Sequence, residues 1–297
     1  MSVPYGRSPR RGLGIRTLLT AAATIVALLA GLVTAGGAQA ADGYAYVNLG
    51  DSYSAGASVF PQATSAATFC SNSAINYSSL VAKRRGTEVV DVSCAGATTE
   101  DLTKSQYRWQ GPQISAIGPA TRLITLTIGA NNNRLFSNST SACQRAWMAA
   151  PLSATPCRDE FGTSLVDKIK SSTYPDLVNA LRLVGREAPR ARVVLVGYPQ
   201  IFPATGSALC SASLLTTPGD TAYLHRVFKA LNDAMRRAAA ATRVTFVDMT
   251  KVSAGHDACA GERRWVEPTL GAVSFPAMHA NARGQKAMAD QVVAALR

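Results

Sequence analysis

The sequence predicts an α/β fold: a three-layer sandwich around a mostly parallel sheet of about five strands. Three observations carry this. Apolar, β-branched runs at 44–49, 88–93, 122–128, 192–198 and 244–248 alternate with stretches of helical periodicity, and strands that alternate with helices build βαβ units and a parallel sheet. Runs such as Val193-Val194-Leu195-Val196 are apolar on both faces, the pattern of strands covered from each side by helices. Three of the runs also end in clusters of Gly, Ser, Asp, Asn and Thr, residues that form the tight turns where a strand gives way to a loop.

Taken in order, the chain begins with what reads as an address. Arg7, Arg10, Arg11 and Arg16 form a basic head, 18–33 is an apolar run, and Ala38-Gln39-Ala40 is a small-residue cleavage pattern. This predicts a secretory signal peptide over residues 1–40, followed by a single domain over residues 41–297. The Arg10-Arg11 pair also fits a twin-arginine signal, and the sequence does not choose between the two export routes. The rival reading, an uncleaved anchor, is disfavoured because the apolar run is short for a span.

The first strand, 44–49, runs into Gly50-Asp51-Ser52. A helix follows near 77–85, and the strand 88–93 ends in Ser93-Cys94-Ala95-Gly96. The strand 122–128 ends in Gly129-Ala130-Asn131-Asn132. The stretch 132–162 is polar, long and carries Cys143 and Cys157; it reads as a loop. A helix is expected over 164–187, then the strand 192–198. A second long loop, 202–220, is rich in Ser, Thr, Pro and Gly and holds Cys210. A helix over 223–241, the strand 244–248 and a last helix over 283–296 complete the pattern. Long loops at the active edge of such a fold shape substrate sites.

Composition narrows the function. The formal charge of +12 includes the four arginines of the head, so it falls to +8 without them. The remaining basic residues are scattered, with no basic stripe interleaved with aromatics, which argues against nucleic acid and reads mainly as solubility, with some attraction to anionic surfaces or lipids. All six cysteines lie after the head, as expected in an oxidising compartment. Six cysteines allow fifteen pairings; their order favours neighbours, Cys70 with Cys94, Cys143 with Cys157 and Cys210 with Cys259. Zinc is the rival, weakened by the lack of any C-x-x-C pair and by only three histidines. There is no G-x-S-x-G elbow, Walker loop, HExxH or G-x-G-x-x-G. No metal and no cofactor is implied.

In a parallel sheet the clusters at Gly50-Asp51-Ser52, Gly96 and Gly129-Ala130-Asn131 come to one edge. There a serine hydroxyl lies beside a glycine N–H and an asparagine amide, donors suited to the oxyanion that forms when a serine attacks an ester. Each piece alone has a plainer reading as a turn or a cap; the conjunction carries the argument. A serine also needs a base. His225 falls within a helical pattern and His256 in a loop beside Cys259, whereas His279 lies just before the last helix, where the chain returns to the same edge. Asp51 reads as a turn-forming residue, and Tyr53 as a residue that packs over the site or covers the sheet edge.

These four blocks, in this order, resemble the SGNH, or GDSL, hydrolases, a family of lipases and esterases with a flavodoxin-like sheet. The resemblance implies Ser52 as nucleophile and His279 as base. It implies an oxyanion hole from the N–H groups of Ser52 and Gly96 and the side chain of Asn131. Six cysteines in an exported chain further resemble the secreted actinobacterial members, which carry three disulfides. Two departures stand out. The third block reads Asn131-Asn132 where the family usually has Asn-Asp. Most members place an aspartate three residues before the histidine, and here that position is Pro276. The expectation is therefore a main-chain carbonyl as partner of the imidazole, Pro276 before Ala277, with Asp257 as the rival. The implied protein is a secreted, monomeric ester hydrolase acting through a Ser-His dyad and an acyl-enzyme on acyl esters, chiefly of lipids, with transient contact to a lipid surface. A carbohydrate acetyl esterase and a non-catalytic glycan- or lipid-binding domain are the alternatives.

Overall fold

Five parallel strands form the centre of the computed structural model, which describes residues 43–63, 69–150 and 152–297. The expected signal peptide lies outside the described residues. The strands are β1 (Tyr46–Gly50), β2 (Val90–Asp91), β3 (Leu123–Thr127), β4 (Arg192–Val196) and β5 (Thr245–Val247), in the order β2-β1-β3-β4-β5. Every neighbouring pair is parallel. Gly50 pairs with Thr127 at the end of the β1–β3 ladder, so both strands release the chain at the same level. Between β1 and β3 the strand order reverses, which is where doubly wound sheets leave a crevice beyond their carboxyl ends.

Four long helices cover the sheet: α1 (Tyr77–Arg85), α2 (Tyr174–Glu187), α3 (Pro218–Thr242) and α4 (Ala282–Ala295). α1 packs with α4, and α2 with α3, giving the two outer layers of the expected three. Val47, Leu49, Ile124, Leu126, Val194 and Leu195 have no exposure, as near-continuous apolar strands require. Each such side chain contributes about 1.5–3 kcal/mol by leaving water.

The element boundaries follow local chemistry. α3 begins at residue 218 instead of the expected 223, because the Thr217 side chain caps it by accepting from the Asp220 N–H and Pro218 fits the first turn. α4 is capped by the Asn281 side chain, which accepts from Arg283 and Gly284 N–H. The expected helix 164–187 is interrupted: Ser164–Lys168 is α-helical, Ile169–Thr173 forms a wider π turn, and α2 follows from Tyr174. Pro175 explains this, since its ring crowds the carbonyl of Ser171 and it has no N–H to donate. β2 is only two residues long, shorter than the expected 88–93, because Asp91 bends the chain by accepting from both the N–H and the hydroxyl of Ser93.

The two expected loops are partly helical. The first contains Leu135–Ser137, Asn138–Ala142, Cys143–Ala149 and Pro156–Phe161, and the second contains Ala208–Leu214. Disulfides Cys143–Cys157 and Cys210–Cys259 tie these segments down, and Cys70–Cys94 closes a third pair. With all six sulfurs in disulfides, none is left as a thiolate zinc ligand. Among the described residues no helix is long and apolar enough to cross a membrane.

Candidate active site

β1 ends at Gly50, whose φ is +121°. A Cβ there would lie 2.3 Å from the Thr127 carbonyl oxygen and 2.6 Å from Ser54 Oγ, so only glycine fits. Gln113 clamps this glycine from both sides. Its Oε1 accepts from the Gly50 N–H at 2.7 Å, and its Nε2 donates to the Gly50 carbonyl at 2.9 Å. Asp51 then caps a single turn of helix, Ser52–Ala55, by accepting from the Tyr53 N–H at 2.9 Å. The same carboxylate accepts from the Tyr198 hydroxyl. Burial pushes the Asp51 carboxyl up to about 7, against the hydrogen bonds from Tyr198 and the local backbone. Ser52 is the first residue of that turn, held by a rigid support and 8% exposed.

His279 meets it from the far end of the chain. Its Nε2 lies 2.8 Å from Ser52 Oγ, and its Nδ1 lies 2.8 Å from the carbonyl oxygen of Ala277. A carbonyl can only accept, so Nδ1 carries the hydrogen and Nε2 is free to accept from the serine. This corrects the expectation that Pro276 supplies the carbonyl. Met278 adopts φ +62°, and that left-handed turn folds the chain so that the carbonyl two residues back reaches the ring. Asp257 is engaged elsewhere: its carboxylate accepts from the Cys259 N–H at 2.9 Å. Burial holds the His279 imidazole below its ordinary value, with the Ala277 carbonyl opposing, which favours the neutral ring.

The histidine loop is fastened to the serine turn at several points. The Tyr53 hydroxyl donates to the Met278 carbonyl at 2.7 Å, and Ser58 Oγ donates to the Ala280 carbonyl at 2.8 Å. Gln285 of α4 donates to the Tyr53 carbonyl at 3.0 Å and accepts from the Tyr77 N–H at 2.8 Å. The Tyr53 ring stacks beside the imidazole, with centroids 5.3 Å apart. Glu267 holds the loop from below: its backbone pairs with Met278 and His279, and its carboxylate takes Asn281, the Val273 N–H and Arg264. Burial raises that carboxyl, but these donors outweigh it and keep it below the usual range.

The second and third blocks join the first through the backbone. The Cys94 N–H donates to the Gly50 carbonyl at 2.9 Å, setting the Gly96 turn (φ +83°) beside β1. Asn131 Nδ2 donates to the Ala97 carbonyl at 3.0 Å, which fixes the side chain and leaves its second amide hydrogen over. Among the described residues, no acceptor takes the N–H of Ser52 or of Gly96. Tyr198 ties the third block to the first, since its oxygen accepts from the Ala130 N–H at 2.9 Å while its hydrogen goes to Asp51. Asn132 does a separate task, exchanging hydrogen bonds with the Thr99 N–H and hydroxyl at 3.1 and 2.7 Å. The other two histidines lie apart: His225 Nδ1 contacts the Phe202 carbonyl, and His256 stacks on Trp265.

A model of the GDSL-like lipase/acylhydrolase family matches residues 49–287, a span that contains all four blocks. The chain belongs to that family. As a member it is a carboxylic ester hydrolase. It is 43% identical over 285 residues to Lipase 2 of Streptomyces coelicolor, covering 94% of this chain and 96% of that one. It resembles the crystal structure of the extracellular lipase of Streptomyces rimosus, with TM-score 0.70, 25% identity, and 84% and 98% of the two chains covered. The crystal structure of a phospholipase A1 from Streptomyces albidoflavus also has TM-score 0.70, at 24% identity over 86% and 99% of the chains; at that identity the likeness concerns the fold.

Several residues that brace this site leave little trace in the sequence. Gln113, Ser58, Gln285 and Glu267 act through side chains distant in sequence and left no local signal. Tyr198 had one: it ends the fourth apolar run, at the same sheet edge as the three clusters.

Proposed function

We propose that this ester hydrolase is exported by a signal peptide over residues 1–40 and works as a Ser-His dyad on acyl esters of lipids. Ser52 attacks the ester carbonyl while His279 Nε2 accepts its proton. The Ala277 carbonyl holds the imidazole tautomer and takes the place of a carboxylate. Charge on the tetrahedral oxygen is met by the N–H groups of Ser52 and Gly96 and by the spare amide hydrogen of Asn131. His279 then protonates the leaving alcohol, and water cleaves the acyl-enzyme by the same steps in reverse.

The single observation that carries this reading is the chain of two 2.8 Å contacts, Ser52 Oγ to Nε2 and Nδ1 to the Ala277 carbonyl. The lipid substrate and the export rest on the Streptomyces relatives, one named Lipase 2 and one an extracellular lipase. The test is a series of p-nitrophenyl esters from acetate to long acyl chains, run with wild type, Ser52→Ala and His279→Ala. The proposal expects both variants to lose turnover and wild type to favour chains longer than acetyl. Turnover by Ser52→Ala at the wild-type rate overturns the dyad. A preference for acetate overturns the lipid substrate.

A further inference from the structure

The turn that carries His279 closes a longer loop. Paired backbone seals the root: the Met278 N–H donates to the Glu267 carbonyl at 2.9 Å, and the Glu267 N–H donates to the His279 carbonyl at 3.0 Å. Between these pairs runs Pro268-Thr269-Leu270-Gly271-Ala272-Val273-Ser274-Phe275-Pro276-Ala277, a stretch without a charge. Its root is buried at Glu267 and Met278, but its far part is turned outward. Val273 is 83% exposed, Phe275 is 78% exposed, and Leu270 is exposed as well. Phe60 joins them. It is 67% exposed and lines one groove together with Val273, and Ser58 fastens its segment to the same loop through the Ala280 carbonyl. Single apolar residues on a surface are ordinary. Four large ones gathered on one loop and its neighbour mark a contact face.

Charge and shape select what that face meets. The charged residues lining the groove are Glu262, Arg264, Glu267 and Arg283. Arg264 is paired with Glu267 at 3.1 Å. Glu262 and Arg283 are exposed, form no ion pair among the described residues, and cancel in sign. Arg263, beside Glu262, leaves at most one positive charge over. So little net charge gives the face no strong pull on an anionic surface. The shape is a projecting loop with separate apolar side chains. A protein partner would have to offer a fitted pocket for each of them, whereas the hydrophobic effect is non-directional and a fluid lipid layer admits them in any arrangement.

We propose that Leu270, Val273, Phe275 and Phe60 form the face by which this protein docks on the surface of an uncharged or zwitterionic lipid layer. The loop tip enters the layer, and Phe275 stands four residues ahead of His279, so the loop that bears the base is the one that meets the lipid. This rests on the lipid-ester reading above and adds the physical state of the substrate, an aggregated layer. Docking needs neither the serine nor turnover, so its failure and the failure of that reading are distinguishable.

The experiment measures co-flotation of the full chain carrying Ser52→Ala with phosphatidylcholine vesicles. The proposal expects binding that changes little between about 50 and 500 mM salt, because screening acts on charges and not on apolar contact. Phe60→Ser and Val273→Ser, each added to that chain, should weaken partitioning by about tenfold. In the chain that keeps Ser52, the same two substitutions should leave turnover of dissolved p-nitrophenyl butyrate at the wild-type rate. Val273→Trp should gain fluorescence quenching by brominated acyl chains beyond that of the native tryptophans. No binding to phosphatidylcholine, or binding that salt abolishes, overturns the proposal. Self-association that Val273→Ser weakens, without vesicle binding, assigns the face to a second copy of the chain and overturns the lipid reading.

Discussion

Tyr53→Phe removes one oxygen and isolates the fastening of the histidine loop. The ring that stacks beside His279 stays, and only the 2.7 Å bond to the Met278 carbonyl is lost. Met278 is 4% exposed, so its carbonyl gains little from water once the phenol is gone. An unsatisfied buried acceptor costs about 1–3 kcal/mol. The cost falls on a residue already held at φ +62°, which returns easily to an extended backbone once released. Because each 1.4 kcal/mol is about tenfold in an equilibrium, the population with Nε2 on Ser52 should fall by about 5- to 150-fold relative to the displaced loop. The visible loss in kcat is smaller to the extent that the wild-type loop is held with energy to spare. The expected result is a lower kcat with KM little changed, and a Tm lowered by about 2–4 °C per kcal/mol lost. Steady-state kinetics on a p-nitrophenyl ester and a thermal melt read both. Wild-type kcat and wild-type Tm together would refute the claim that this hydroxyl holds the loop.

Other consequences can be measured on the same footing. Asn131→Ala removes one donor of the proposed oxyanion hole and should lower kcat by about 10²–10³; an unchanged kcat excludes the residue from the oxyanion hole. Asp257→Ala should leave kcat/KM near wild type, because the Nδ1 partner is the Ala277 carbonyl, and a loss comparable to that of His279→Ala would reinstate the carboxylate. Burial depresses the His279 pKa, and the base must be neutral to act. The acid limb of kcat/KM should therefore lie below the ordinary histidine value of about 6.5, and it should persist in Asp51→Asn, which removes the other nearby group titrating in that range. A limb above 7 contradicts this. Gly50→Ala, with a Cβ 2.3 Å from a backbone oxygen, should destabilise by on the order of 3 kcal/mol or more, seen as a large drop in Tm or loss of soluble protein.

Much of this architecture was legible in the sequence for a physical reason. A sheet covered on both faces needs apolar strands, and their carboxyl ends need small turn residues, so Gly50-Asp51-Ser52 and Gly129-Ala130-Asn131 announce both strand and site. His279 could be chosen over His225 and His256 because its place before the last helix returns it to the same edge. The preference for Pro276 failed because nothing in the residue type says that Met278 takes a left-handed conformation, which brings Ala277 to the ring. The helices within 132–162 and 202–220 are not legible because each is only 3 to 7 residues long, too short to show a repeating apolar face, and disulfides and distant side chains hold them. Gln113 and Gln285 were missed because a glutamine shows its use only when its partner, far away in sequence, is in place.

The central claim is that Ser52, activated by His279, is the group that takes the acyl chain. A fluorophosphonate probe tests it most directly. The account predicts stoichiometric labelling on the peptide that contains Ser52, lost in Ser52→Ala and strongly slowed in folded His279→Ala. A folded protein that hydrolyses esters yet carries the probe on another residue, or on none, would contradict it.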